Sequence, residues 1–241
     1  MSFRDKLNAQ RSRSFAAPRR FHHEVVEYEP PVREDRPSRR VYVTPKGNVY
    51  PSATTVLGAV GDKSWLDAWR DRIGHEEAAK ITAQSGRRGT ELHSIIERYI
   101  NNEDDFLGSP TPVYLDLFRQ VKPRIDESLG TVYGNELALY SDFIKVSGTA
   151  DLVAEWDGVL SIVDWKNARR FKSLSDITGY FHQTCMYAIM YEERTGLPVK
   201  QLVIVMAVEN NTGDAIVFKQ KRKDWVEPMR AIVKEYYDLQ R

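Results

Sequence analysis

Apolar residues recur with two different periods along this chain, and the two periods predict helices and strands in a definite order. In the segment 92–100 the spacing is helical, since apolar residues fall three or four positions apart and would form one buried face. Two runs rich in β-branched residues flank residues 157–158, and the segment 202–208 is apolar at nearly every position. Such a continuous run is typical of a strand at the centre of a sheet, covered on both faces.

The remaining segments complete a predicted α/β fold. After the helices that end near residues 73 and 100, the chain reads as helix, three strands, helix, two strands and helix. The later helices are predicted at 114–125, 177–195 and 223–239, and the flanking strands at 136–140 and 215–219. We expect residues 41–241 to form one domain. Residues 1–40 are rich in Arg, Pro and Glu and poor in large aliphatic side chains, which predicts a basic, mobile N-terminal arm.

Composition excludes several classes of protein without naming a partner. The 241 residues carry 35 Lys and Arg against 34 Asp and Glu, a formal net charge of +1. Basic residues cluster at 6–20 and 219–223, where they would either meet phosphates or be solvated. The single cysteine, Cys185, excludes a disulfide framework and a Cys-ligated iron–sulfur cluster. No run approaches the roughly 20 apolar residues of a membrane span, so we expect no membrane association.

The chemistry of the chain is concentrated in a predicted hairpin. Asp157-Gly158 separates two β-rich runs, and an Asp-Gly pair is a strong signal for a two-residue turn because both positions want positive φ. Such a turn places Asp151 directly opposite Asp164, and Lys166 on the same face. Two carboxylates that face each other at roughly 5 Å repel, and a bound divalent cation would reverse that repulsion. The pattern therefore predicts a metal site.

The predicted ligands indicate which metal and which reaction. Aspartate oxygens are hard ligands that hold Mg²⁺ or Mn²⁺ and leave positions for water and substrate. The ammonium of Lys166 could orient an attacking water or offset negative charge on a phosphate, and the backbone carbonyl of Trp165 lies near the metal. This set suits metal-assisted hydrolysis of a phosphodiester. The alternative is a surface hairpin with an ordinary Asp–Lys salt bridge.

The same residues resemble a known family. The segments 148–151, Gly-Thr-Ala-Asp, and 162–166, Ile-Val-Asp-Trp-Lys, resemble the motif of PD-(D/E)XK nucleases in the version that RecB-type exonucleases use. Gly89-Thr-Glu-Leu-His93 resembles the histidine motif of that family, and 183–187 its Gln-x-x-x-Tyr motif. The resemblance implies a restriction-endonuclease-like core, a central mixed sheet flanked by helices. It also implies dependence on Mg²⁺ or Mn²⁺ and hydrolysis of DNA, often at single-stranded ends.

The resemblance assigns roles to particular residues. Asp151 and Asp164 would ligate the metal, Lys166 would be the catalytic lysine, and His93 would add a ligand or orient one. Glu136 would hold a metal-bound water, although a salt bridge at the end of its strand is the alternative. Gln183 and Tyr187 lie one turn apart and would face the cleft as part of the catalytic set, although Tyr187 would equally suit the core.

Basic and aromatic residues near these motifs are the predicted DNA contacts. Arg87 and Arg88 precede the His93 helix, whose N-terminal amides would also favour phosphate. Arg169, Arg170 and Lys172 follow the lysine strand. Possible stacking surfaces for unpaired bases are the side chains of Trp65, Trp69, Tyr180 and Phe181.

The sequence thus predicts a metal-dependent DNA exonuclease that acts in DNA processing, repair or recombination. Its alternatives are a structure-specific or nicking endonuclease of the same fold and a nucleic-acid-binding module that does not cleave. Replication or recombination proteins are conceivable partners. We expect the protein to be located in the cytoplasm of a bacterium or of a phage-infected host, and the alternative location is the mitochondrial matrix.

Overall fold

A computed structural model describes residues 19–36, 39–61 and 64–241. The first elements are the strands β1 (Val32–Arg36), β2 (Arg39–Val43) and β3 (Val49–Pro51) and the helices α1 (Ala53–Ala59), α2 (Ser64–Ile73), α3 (His75–Ile100) and α4 (Pro112–Ser128). They are followed by β4 (Leu129–Ser141), β5 (Val146–Trp156), β6 (Val159–Ala168), α5 (Thr178–Thr195), β7 (Gln201–Val208), β8 (Ile216–Lys221) and α6 (Val226–Asp238). The predicted order of helices and strands is confirmed.

The central sheet has five strands in the order β4-β5-β6-β7-β8. Only the β6–β7 pair is parallel, so the sheet is mixed. Side chains alternate between two cores: Ile162 and Ile204 pack on the side of α5, whereas Val163 and Val205 pack on the side of α3 and α4. The predicted α/β class and restriction-endonuclease-like core, a mixed sheet flanked by helices, are confirmed.

The position of β7 corrects one expectation. β7 is buried on both faces, as its apolar sequence predicted, but β6 rather than β7 is the central strand. Helices that cover the sheet above and below bury both faces of β6 and of β7 alike. Burial of both faces therefore does not show which of the two strands is central. Because β6 is central, the residues of the metal motif occupy the middle of the sheet, where neighbouring strands hold the backbone on both sides.

Helix α3 is longer than the sequence pattern indicated. It begins at His75, well before Thr90, because residues 75–91 are mostly good helix formers even though Ala78 is the only buried residue among them. Thr90 does not cap the helix, since its hydroxyl donates to the carbonyl of Gly86 within it. The apolar stripe marks the part of the helix that packs on the sheet, not its beginning.

The N-terminal region differs from the expected mobile arm over residues 19–36. Phe21 is buried and packs edge-on against Tyr99, and the backbone next to it exchanges hydrogen bonds with Val132 on the edge strand β4. Backbone pairing with an exposed strand edge, rather than aliphatic content, holds this segment in place. Residues 1–18, and with them most of the basic stretch 6–20, lie outside the described residues.

The small sheet β1–β2–β3 leads into α1. Ser52 caps that helix, because its side chain accepts a hydrogen bond from the backbone N–H of Thr55 at 3.0 Å. Among the helices in the described part of the chain, none has both the length and the apolar character to cross a membrane.

Candidate metal centre

The turn between β5 and β6 sets the register of the candidate site. Asp157 and Gly158 have φ values of 53° and 75°, the positive values that the Asp-Gly pair predicted. Leu152 then pairs with Val163, so Asp151 and Asp164 are the next opposed positions. Lys166 Nζ lies 2.6 Å from Asp164 Oδ2. The predicted hairpin, with its opposed carboxylates and adjacent lysine, is confirmed.

Glu136 extends this pair into a row of three carboxylates. In the β4–β5 ladder Asn135 pairs with Leu152 and Leu137 with Ala150, which places Glu136 opposite Asp151. The backbone of Glu136 is left-handed, with φ 49°. For a residue with a Cβ this conformation costs roughly 1–3 kcal/mol and is concentrated at functional sites. With this backbone, the Glu136 carboxylate lies close to Asp151 on the neighbouring strand.

His93 joins the row from α3. Its Nε2 lies 2.8 Å from the backbone carbonyl oxygen of Trp165, and since a carbonyl only accepts, Nε2 carries the hydrogen. Nδ1 then faces the acids, 3.6 Å from Asp151 Oδ2 and 3.9 Å from Glu136 Oε1. Metal-ligating histidines typically have their other ring N–H oriented by a carbonyl or carboxylate in this way.

The geometry of the donor atoms fits a metal ion. Ligand atoms of His93, Glu136 and Asp151 all lie within 4.8 Å of one another. Trp165 completes the surroundings through its backbone, since its N–H donates to Asp151 Oδ2 at 2.9 Å. The carbonyl oxygen of Trp165, the predicted metal ligand, accepts the hydrogen bond from His93 Nε2. A carbonyl oxygen has a second lone pair, which could still bind a metal.

Asp164 provides the clearest sign that a cation belongs in this site. Its side chain is only 1% exposed. Oδ1 has no hydrogen-bond donor among the described residues, and Oδ2 has the Lys166 ammonium as its ion-pair partner. Burial, and the nearby charge of Asp151, raise the pKa of Asp164 despite the opposing effect of Lys166. A buried carboxylate with unused lone pairs is stabilised when it coordinates a metal.

The pKa values of Glu136 and Lys166 are also raised, as expected where negative groups outnumber positive ones. Burial and the charge of Asp151 raise the pKa of Glu136 to about 7. Burial alone would lower the pKa of Lys166, but Asp164 and Asp151 together raise it, so the lysine remains an ammonium. One ammonium does not neutralise three carboxylates. The residues present, oxygen donors with one imidazole nitrogen, fit a divalent cation.

The predicted glutamine–tyrosine pair is joined by a hydrogen bond, and its tyrosine lies against the hairpin strand β5. Gln183 Nε2 donates to Tyr187 Oη at 3.1 Å across one turn of α5. Tyr187 is buried, and burial raises the pKa of its hydroxyl, which therefore stays protonated. A Cβ on Gly148 would lie 2.8 Å from Tyr187 Cε1, so the glycine of the Gly-Thr-Ala-Asp motif makes room for this ring. The alternative that Tyr187 belongs to the core also describes its burial.

The predicted DNA contacts divide into exposed and paired residues. Arg87, Arg169 and Arg170 are exposed. Arg88 instead forms an ion pair with Glu209 and is 22% exposed. Because α3 begins at His75, the backbone amides near both arginines lie inside the helix, and the expected phosphate site at a helix N-terminus is wrong.

The aromatic residues predicted to stack on bases differ in their exposure and in their contacts. Phe181 is buried and stacks on Trp225 at 4.9 Å, so its predicted role as a stacking surface is wrong. The Trp65 side chain lies outside the described residues. Tyr180 is half-buried and accepts a hydrogen bond from Lys172 Nζ at 3.0 Å. Its ring also lies under Lys166, a contact that no sequence pattern indicates because it depends on how α5 packs on β6.

The second basic cluster is also partly engaged. Lys219 pairs with Asp157 at 2.9 Å, and Arg222 pairs with Glu192. These ion pairs agree with the alternative that the cluster is a solvated surface rather than a phosphate site.

Comparison with known proteins matches most of this chain to one family. Residues 61–239 match the family model of the PD-(D/E)XK nuclease superfamily. Two curated relatives both bear the name mitochondrial genome maintenance exonuclease 1. The mouse protein (Mus musculus) is 25% identical over 134 residues, 53% of this chain and 39% of the relative. The human protein (Homo sapiens) is 23% identical over 154 residues, 59% of this chain and 45% of the relative. The chain therefore spans less than half the length of these relatives.

A solved structure gives a weaker likeness. The crystal structure of a candidate exonuclease from Eubacterium rectale superposes with a TM-score of 0.45 at 11% identity. The match covers 62% of this chain and 66% of that one.

Proposed function

This chain belongs to the PD-(D/E)XK nuclease superfamily, and from that premise we propose that it is a metal-dependent deoxyribonuclease that hydrolyses DNA from single-stranded ends. The observation that carries the proposal is Asp164. Its carboxylate is 1% exposed and opposes Asp151; Oδ2 is paired with the Lys166 ammonium at 2.6 Å, whereas Oδ1 has no hydrogen-bond donor among the described residues. That arrangement is unfavourable in a binding module and suits an enzyme that holds a cation against a phosphate.

The chain supplies a complete set of groups for the metal. Asp151 and Asp164 would hold it, with His93 Nδ1 and the Trp165 carbonyl within reach and Glu136 acting through water. When bound, Mg²⁺ or Mn²⁺ would polarise the phosphoryl oxygen and lower the pKa of a coordinated water. Hard oxygen donors and the low number of nitrogen ligands support these two ions over Zn²⁺.

Lys166 contributes the other half of the chemistry. Its ammonium stays charged beside Asp164, where it can hydrogen-bond an attacking water or the phosphate oxygen that gains charge. The side chain is only 20% exposed, so bulk water does not screen that interaction fully. Removal of the ammonium should therefore lower the rate of cleavage more than the affinity for DNA.

The exposed arginines support DNA as the substrate. Arg87, Arg169 and Arg170 are exposed: Arg87 lies on α3, less than two turns before His93, and Arg169 and Arg170 directly follow the end of β6. Lys172 lies beside Tyr180 at the same end of β6. Contacts of this kind bind the phosphate backbone without reading sequence.

An exonuclease is favoured over an endonuclease by the names of the two curated relatives. We extend the proposal to a role in DNA processing, repair or recombination, with replication or recombination proteins as partners. The proposed location is the cytoplasm of a bacterium or of a phage-infected host, and the mitochondrial matrix is the alternative.

The test uses end-labelled DNA, single- and double-stranded, linear and circular, with Mg²⁺ or Mn²⁺ and with a chelator. We expect metal-dependent loss of linear substrate that Asp164→Ala abolishes. The matched control is Asp116→Ala, which removes an exposed aspartate from α4 and should leave the rate unchanged. Cleavage of closed circles would instead establish an endonuclease. Binding without cleavage by the wild-type protein, or full activity of Asp164→Ala, would refute the proposal.

A further inference from the structure

Tyr180 lies directly beside the lysine of the proposed nuclease site. The ammonium of Lys166 is held between two groups: Asp164 Oδ2 at 2.6 Å and the ring of Tyr180, whose centre is 4.9 Å away. The negative face of an aromatic ring attracts an ammonium, and the attraction grows when the pair is shielded from water. Lys166 is only 20% exposed, so this contact is partly shielded.

A second lysine fixes the ring in place. Lys172 Nζ donates a hydrogen bond to Tyr180 Oη at 3.0 Å and lies 5.2 Å from the ring centre. The two distances together place Lys172 at the hydroxyl end of the ring and leave a face for Lys166. Tyr180 is in the first turn of α5, one turn before Gln183, so the rest of its helix is anchored by the core. The ring is thus oriented both by its helix and by its hydroxyl group.

We propose that Tyr180 is a positioning residue that holds the Lys166 ammonium in its working orientation, an inference that rests on the proposed nuclease function. A lysine side chain has a flexible stem of four carbons, so it loses considerable conformational entropy when its ammonium is fixed. Asp164 can serve as an anchor only while its oxygens face the lysine. If that carboxylate also held a cation, its attraction for the Lys166 ammonium would weaken, and the contact with the Tyr180 ring would gain in importance.

Steady-state kinetics separate positioning from substrate binding. Tyr180→Phe keeps the ring and loses only the Lys172 hydrogen bond, so kcat should stay within about twofold of wild type. Tyr180→Leu keeps apolar bulk but loses the attraction, and kcat should fall between about 2-fold and 30-fold with little change in KM. Equal kcat for wild type and Tyr180→Leu, or a change confined to KM, would overturn the proposal.

A control removes an aromatic ring elsewhere. Tyr114 is a half-buried tyrosine on α4 that packs against the core on the other side of the sheet. Tyr114→Leu should lower the melting temperature and preserve kcat. If it lowered kcat as much as Tyr180→Leu does, the effect would reflect general stability and the positioning role would be excluded.

A measurement without metal or DNA tests the contact independently of activity. In protein labelled with ¹³C at lysine Cε, the Lys166 signal is identified by its loss in Lys166→Arg. The ring current of Tyr180 should shift that signal, the shift should persist in Tyr180→Phe, and it should disappear in Tyr180→Leu. A Lys166 signal that Tyr180→Leu leaves unchanged would overturn the proposal even if the wild-type protein cleaves DNA. Failure of the wild-type protein to cleave DNA, with the expected shifts present, would refute the proposed function alone.

Discussion

Gly148→Ala tests the contact between the hairpin and α5 that shapes the site. An added Cβ would lie 2.8 Å from Tyr187 Cε1, closer than such contacts occur in folded proteins, and 3.1 Å from Tyr187 Oη, tighter than most of them. Tyr187 is fully packed and hydrogen-bonded to Gln183, so it has little room to move. Forcing a methyl group into a packed core costs about 1–3 kcal/mol. The lower entropy of the unfolded chain offsets about 0.4–1 kcal/mol of that.

We therefore expect Gly148→Ala to lower the free energy of unfolding by about 1.5 kcal/mol. For a chain of this size that corresponds to a fall of roughly 3–6 °C in Tm. The measurement is thermal and urea unfolding of Gly148→Ala, Tyr187→Leu and the double variant. Since a smaller side chain at 187 would leave room for the methyl group, the two substitutions should be strongly non-additive.

Gly86→Ala is the matched control. Gly86 lies within α3, and a Cβ there would meet nothing within 4 Å, so alanine should stabilise the helix by up to about 1 kcal/mol. Additive effects of Gly148→Ala and Tyr187→Leu, or a Gly148→Ala variant as stable as wild type, would refute the reasoning that this glycine exists to admit the tyrosine ring.

Three other expectations follow from the site and its surroundings. Mg²⁺ or Mn²⁺ at about 100 times its Kd should stabilise the protein by about 2.7 kcal/mol in thermal unfolding, and an equal rise in Tm for Asp151→Asn would contradict the ligand assignment. Arg170→Ala should reduce the salt dependence of DNA binding, measured by fluorescence anisotropy, by about one unit of slope. Arg88→Ala should leave that slope unchanged because Glu209 already binds its guanidinium, and equal changes in both variants would contradict this distinction. The Cys185 thiol is buried, which raises its pKa to about 12, so a disulfide reagent should react with it only after unfolding, and rapid reaction of the native protein would show that the burial is wrong.

The hairpin that carries the site could be predicted from the sequence because its determinants are local. The Asp157-Gly158 turn fixes the register, and side chains alternate strictly along a strand, so the opposition of Asp151 and Asp164 follows from a few neighbouring residues. The end of α5 at Gly196, with φ 74°, could be predicted for the same reason, since only a local change of backbone conformation is involved.

The beginning of α3 and the packing of residues 19–36 could not be predicted from hydrophobic pattern. Residues 75–91 bury almost nothing, so the periodicity that indicates a helix is absent there although the backbone is helical. The early segment is held by backbone hydrogen bonds to β4 and by single side chains such as Phe21, and neither kind of contact produces a periodic pattern in the sequence.

By itself, the sequence determined the order of elements, the mixed α/β class and the acidic hairpin with its lysine. The tertiary structure alone decided how other elements complete the site: the direction of His93 Nδ1, the left-handed backbone of Glu136 and the contact of Tyr180 with Lys166. These features join residues that are far apart in the chain. Their geometry depends on how helices pack against the sheet, and spacing along the sequence does not encode it.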